Sequence, residues 1–246
     1  MKKLLLMMLG ALTMMSCVHI NVSKTVDMTQ SFSMRPFEIV EINGSPSVYY
    51  EQGDSFSVRL VGDEDQVQRI NLTSENGRLV IRPREKLFDF GGIGDVSVYV
   101  TSPDLIGVVL VGPGSFDCTQ PLDTDTLQLV LRGSGDIKFG PVVCDCVKTD
   151  VTGSGDVELK QVKTQWAYLS VVGSGEIDAS LEKAHYTDVQ LKGSGDIKVN
   201  FNDCRRANCV IQGSGDVELS GSLDNLNYNV LGSGDLDKKH LILKPS

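Results

Sequence analysis

Six acidic side chains recur at one phase of this sequence: Asp136, Asp156, Glu176, Asp196, Asp216 and Asp235. Each closes a Gly-Ser-Gly-Asp or Gly-Ser-Gly-Glu tetrad, and the tetrads begin at Gly133, Gly153, Gly173, Gly193, Gly213 and Gly232, so the spacings are 20, 20, 20, 20 and 19 residues. If the repeats stack, the acids form a column with a spacing of ~4.8 Å. At that spacing neighbouring charges repel by about 1 kcal/mol even in a water-like dielectric. Three kinds of chemistry offset such repulsion. A divalent cation such as calcium, which takes oxygen ligands only, would be held by carboxylates and carbonyls. A cationic or sugar ligand would be recognised by the column. Most simply, each aspartate accepts hydrogen bonds from backbone amides at a local bend while water screens the rest; this last is the expected reading, and no metal or other cofactor is assigned.

The other reactive residue types are sparse. His19, His185 and His240 lie far apart and in different repeat phases, which argues against a histidine-based metal or nucleophile site. Cys144-Asp145-Cys146 lacks the two-residue gap and the second pair of a zinc site, and Cys118 and Cys209 fall on apolar phases where a thiol acts as a small core group. Trp166 and Tyr168 share the outward phase of one repeat, with Tyr186 one repeat later, and such aromatics can stack on a sugar or a protein partner or be isolated surface rings. Two residues beyond the acids stand Lys138, Glu158, Asp178, Lys198, Glu218 and Asp237. Lys138 can face Glu158, and Lys198 lies between Asp178 and Glu218; such cross-strand pairs contribute ~0.2 to 1 kcal/mol each and help to set register.

The elements that must position these residues are strands. Two and four residues before each tetrad come Leu131 and Leu129, Val151 and Thr149, Val171 and Leu169, Leu191 and Val189, Ile211 and Cys209, Val230 and Tyr228. Four and six residues after its first glycine come pairs such as Ile137 and Phe139, Val157 and Leu159, Ile197 and Val199. Alternation of this kind, rich in Val, Ile and Leu, marks half-buried strands. The parity runs through both glycines, which places them inward and the serine and acid outward; glycine there means either a bend with positive φ or a corner too narrow for a side chain. One repeat cannot bury its apolar face alone, but stacked repeats pair backbone to backbone and enclose columns of like side chains. The expected fold is therefore all-β, a single-chain β-solenoid (β-helix) of coils of about twenty residues.

Weaker copies of the pattern run through Val108, Leu110, Gly112, Gly114, Phe116 and Cys118, and through Val40, Ile42, Gly44, Pro46, Val48 and Tyr50. Gly92-Ile93-Gly94-Asp95-Val96 also fits, or is a loop. Between them Ser55 to Val61 alternates as a strand, Asp63 to Ile70 is expected to form a helical turn capped by Asp63, and Asn76-Gly77 predicts a hairpin turn before Leu79 to Arg82. This N-terminal part, 35–105, is β-rich but less regular, and is expected to cover the open end of the stack formed by 106–246.

The chain opens Met1-Lys2-Lys3, followed by an apolar run from Leu4 to Met15 that ends in Ser16-Cys17. A basic head and about a dozen apolar residues before a small residue describe a secretory signal, too short for a membrane span of roughly 20 residues. Residues 1–16 are thus read as a signal peptide. Cys17 resembles the acylated cysteine of bacterial lipoproteins, which makes 17–34 a lipid-anchored linker and gives an outer-membrane address in a bacterial envelope, with the membrane engaged through that lipid. Removing the signal takes Lys2 and Lys3 from a net charge of −9, leaving −9 − 2 = −11. With no basic cluster, such a chain repels phosphate backbones, and nucleic acid is excluded as a partner. Five cysteines remain after Cys17, and an odd number in an oxidising compartment rules out disulfides as the main framework.

With Phe37-Glu38-Ile39-Val40-Glu41-Ile42-Asn43-Gly44, then Val48-Tyr49-Tyr50-Glu51-Gln52-Gly53 and the later tetrads, the chain resembles the auto-transporter adhesin head GIN domain family over about residues 35–240. The family is named for a Gly-Ile-Asn motif; here Glu41 stands before Ile42-Asn43. The resemblance implies a β-solenoid in an envelope setting and brings no catalytic residues. The expected function is non-enzymatic: a lipid-anchored envelope protein whose repetitive surface serves adhesion, scaffolding, or contact with a polysaccharide or another envelope protein. The alternatives are a carbohydrate-active β-helix enzyme, which needs acids converging in a cleft walled by long loops, and a calcium-binding structural protein. Coils of constant length leave no room for such loops.

Overall fold

In the computed structural model, residues 27–84 and 96–244 are described. The signal, Cys17, the linker up to Val26 and the Gly92–Asp95 match lie outside the described residues. The rest is a β-solenoid of about seven turns with a less regular N-terminal part.

Each coil contributes two strands joined at the tetrad, for example Cys146–Gly153 and Asp156–Lys163. First strands pair in parallel with first strands, so Gly133, Gly153, Gly173, Gly193, Gly213 and Gly232 lie side by side. Second strands pair likewise, aligning Asp136, Asp156, Glu176, Asp196 and Asp216. Because the repeat length equals the coil length, sequence phase becomes spatial column. Leu131, Val151, Val171, Leu191 and Ile211 form one buried column, and Ile137, Val157, Ile177, Ile197 and Val217 another. An aliphatic side chain buried in this way contributes roughly 1.5–3 kcal/mol.

Both glycines of the tetrad answer a steric demand, since a Cβ at Gly173 would run into the carbonyl oxygen of Gly153 one coil earlier and a Cβ at Gly175 into that of Gly155, coming also within 2.9 Å of Val151 Cγ1. Gly173 answers a second one, with φ +127°, a conformation that an L side chain rarely adopts. The bends are also hydrogen-bonded to one another, with Ser174 N donating to Gly153 O (2.8 Å) and Ser194 N to Gly173 O (2.8 Å). The two weaker copies join the same stack: Gly114 N donates to Gly44 O at 2.9 Å, and Val40, Ile42, Val48 and Tyr50 are buried.

The N-terminal part closes one end of the rod. Phe37–Asn43 is flanked in parallel by Gly77–Pro83 and Gly107–Gly112, and Ser47–Gln52 by Ser97–Ser102 and Ser115–Cys118. Outside these, the chain turns antiparallel: Ile70–Glu75 pairs with Gly77–Pro83, and Ser57–Asp63 lies between Ser97–Ser102 and Asp27–Ser33. Asn76 (φ 51°) and Gly77 (φ 73°) make the expected two-residue hairpin turn, both in the left-handed region that a type I′ turn requires. The helical turn exists as Glu64–Val67, but Asp63, at its N-cap position, makes no side-chain capping bond; Gln68 Nε2 instead bonds Glu64 Oε1 at 3.1 Å.

One inward assignment needs correction. Tyr228, in phase with Leu129 and Leu169, is 48% exposed, because no further coil covers it among the described residues. Lys238 lies across its ring at 4.2 Å and donates to its hydroxyl at 3.0 Å.

Candidate functional site

The acids of the tetrads run in a line along the outside of the rod, exposed except for half-buried Glu176. Several of their carboxylates are used by the backbone. Asp156 Oδ1 accepts from Glu176 N (3.2 Å), Asp196 Oδ1 from Asp216 N (3.3 Å), and Asp216 Oδ1 from Asp235 N (2.9 Å), so these acids bond the amide of the next coil's acid. Partial burial, then the charge of Asp136, holds the Asp156 carboxyl above the usual aspartate value. Burial likewise raises Asp178, with help from Glu176, Glu158 and Glu218 against Lys198. Lys198 donates to Glu176 Oε1 at 2.8 Å, a diagonal choice over Asp178 and Glu218, which lie directly opposite it. Lys138 stands opposite Glu158 in register, but the ion pair of Glu158 is with Lys160 at 3.6 Å. Near the last coils Asp196, Asp216, Glu218, Asp235, Asp237 and Lys198 line an open depression of about 320 Å³. Among the described residues, no group of three or more His, Cys, Asp or Glu side chains is arranged to hold a metal ion.

The aromatic residues lie on a different face, the outside of the sheet built from first strands. Register places Trp166 beside Tyr186, and Tyr168 beside Asp188. Tyr186 meets both other rings, with centroids 6.4 Å from Trp166 and 6.4 Å from Tyr168, inclined at 50° and 57°. Trp166 is 44% and Tyr168 38% exposed. Burial, followed by the charge of Asp188, raises the Tyr186 hydroxyl above its ordinary pKa.

Beside the rings runs a polar row that composition alone did not single out. Asp188 accepts from Asn208 Nδ2 (2.8 Å) and from Gln190 Nε2 (2.7 Å), and Asn208 Oδ1 accepts from Asn227 Nδ2 (2.9 Å). Its signal was available: Tyr168, Asp188, Asn208 and Asn227 follow the repeat spacing of 20, 20 and 19. A second ring pair had no such signal. Tyr49 and Tyr99 stack at 5.3 Å (23°), and the Arg59 guanidinium covers Tyr99 at 4.0 Å. They meet because strands 50 residues apart in sequence pair in parallel.

The five cysteines after Cys17 are all free thiols. Burial pushes Cys118 and Cys209 up to about 12 and Cys144 up to about 11.

A family model described as "Putative auto-transporter adhesin, head GIN domain" matches residues 36–203. The chain belongs to this family. Crystal structures of other proteins share the fold of this GIN-domain chain, three of them as follows. A putative adhesin from Bacteroides fragilis NCTC 9343 is 22% identical with a TM-score of 0.79, and the match covers 88% of this chain and 97% of that one. A putative lipid binding protein from Parabacteroides distasonis ATCC 8503 is 19% identical with a TM-score of 0.69, covering 86% and 96%. A putative adhesin from Parabacteroides merdae ATCC 43184 is 18% identical with a TM-score of 0.64, covering 88% and 96%. Among curated proteins, none matches the chain in sequence.

Proposed function

We propose that this GIN-domain chain is a non-enzymatic envelope protein of a bacterium, anchored to the outer membrane by acylation of Cys17, whose solenoid holds a repetitive surface away from the bilayer for adhesion or scaffolding. The observation that carries this reading is the linear display itself. Columns of side chains run along the rod through coils of nearly constant length, and the acids lie along a line, spaced by the coil and engaged by backbone amides. Hydrolysis of a glycoside needs two carboxyls facing each other across a cleft, whereas these acids are aligned in a row along the outside of the rod. Family membership points the same way, as do two structural neighbours described as putative adhesins.

The test is protease shaving of intact cells with detection of this chain, beside fractionation of a Cys17→Ser variant. Cleavage on intact cells and release of the variant from membranes, or a block in its maturation, are expected. A variant that still sediments with membranes as a correctly cut mature chain would show that acylation is not the anchor. A wild-type chain protected until the outer membrane is opened would exclude surface adhesion.

A further inference from the structure

We propose that the outward face carrying Trp166, Tyr168 and Tyr186 is a binding platform for an uncharged glycan chain, with the row Asp188, Asn208 and Asn227 as its hydrogen-bonding edge. This rests on the adhesion reading above and names its ligand class.

A pyranose presents a face of C–H groups and a rim of hydroxyls. It therefore needs an aromatic surface and, one strand away, groups that both donate and accept hydrogen bonds. The face supplies both at the required adjacency, because Tyr168 and Asp188 are neighbours across two parallel strands, and Asp188 and Asn208 across the next two. The polar edge is also held in place. Both oxygens of Asp188 already accept an amide N–H, from Asn208 and Gln190, so less side-chain freedom is lost on binding than for mobile surface groups.

Charge selects the class of glycan. Register places three charged side chains beside the rings, Lys148 and Asp188 next to Tyr168 and Arg206 next to Tyr186, and Lys148 is paired in addition with Asp150 at 3.2 Å, so that the charges of this ion pair and of Asp188 and Arg206 balance. A neutral platform on a chain of net charge −9 matches a neutral polymer and repels a polyanion. The exposed apolar area is three partly covered rings bounded by a polar row, small beside the roughly 800 Å² that each partner buries in a standard protein interface. The Tyr49 and Tyr99 pair is differently disposed, since Arg59 already occupies a face of Tyr99, and serves as the control.

Trp166 is the one tryptophan of the chain, so its fluorescence reports on this face directly. The purified mature chain would be run in native affinity gels containing a soluble β-glucan, a mannan, a galactan or heparin, and titrated with each while Trp166 emission is followed. We expect retardation and a change in emission with at least one of the three neutral polysaccharides. Tyr186→Ala and Asp188→Ala should each weaken that interaction tenfold or more, and Tyr49→Ala should leave it unchanged. If a variant has a lowered melting point, Tyr168→Ala, at an exposed position, replaces it. The proposal is overturned if none of the neutral polymers binds, if heparin alone binds, or if the ring variants bind as the wild type does. Failure here with intact-cell shaving positive removes the glycan and leaves the surface reading standing; binding here with shaving negative does the reverse.

Discussion

Thr149 shows how closely a single atom is felt in this core. It lies between Leu129 and Leu169 in a buried column, and its hydroxyl, like that of Thr187, has no hydrogen-bond partner among the described residues. An uncompensated buried hydroxyl costs about 1–3 kcal/mol in proteins, whereas a valine of nearly the same shape loses nothing by burial. Thr149→Val is therefore expected to stabilise the fold by about 1 kcal/mol, read as a higher melting point by circular dichroism. A lower melting point would mean that the hydroxyl is in use. The buried thiols belong to the same residue-scale logic. With pKa values of about 11 to 12, Cys118, Cys144 and Cys209 are protonated at neutral pH and act as packing groups rather than nucleophiles.

At the scale of the element, the bend decides whether a coil can stack. Gly175→Ala adds one methyl group, and the obstacles it meets are the backbone carbonyl of Gly155 and Val151. A carbonyl in a hydrogen-bonded ladder cannot move aside as a flexible side chain can. The change should cost about 1–3 kcal/mol, as overpacking of a close-packed interior does. Lys198→Ala, by contrast, removes an exposed ion pair with Glu176 and should shift stability by less than about 1 kcal/mol. Equal melting points for the two variants would contradict the steric account of the second glycine.

For the whole molecule, the aligned acids make stability depend on pH. The raised carboxyls, Asp156 and Asp178, favour the folded state when protonated. Their contribution is full below the unfolded value of 3.8 and is lost as pH rises through the higher folded value. At neutral pH the charge on Asp156 thus opposes folding. Asp156→Asn, which can still accept the bond from Glu176 N, is expected to raise the melting point slightly at pH 7, and the gain should vanish as the pH falls below the ordinary aspartate range. Calcium at millimolar concentration should do no more than a monovalent salt of equal ionic strength, since only screening is at work. A rise specific to calcium, abolished by Asp156→Asn with Asp196→Asn, would establish binding by linkage instead.

The sequence by itself determined the coil, the inward and outward phases, the aligned acids and the hairpin at Asn76-Gly77, and the reason is translation. When each repeat stacks on the one before, residues twenty apart become neighbours, so periodicity in one dimension is adjacency in three. The tertiary structure decided what translation does not govern. Lys198 chose Glu176 diagonally over the two acids opposite it, a matter of side-chain reach rather than register. Tyr228 lost its place in the core because no further strand covers it among the described residues. The order of the N-terminal strands, and with it the meeting of Tyr49, Tyr99 and Arg59, came from pairings between segments that share no period, two of them antiparallel. Such pairings are selected by which exposed edges remain to be covered, and no local spacing in the chain records that.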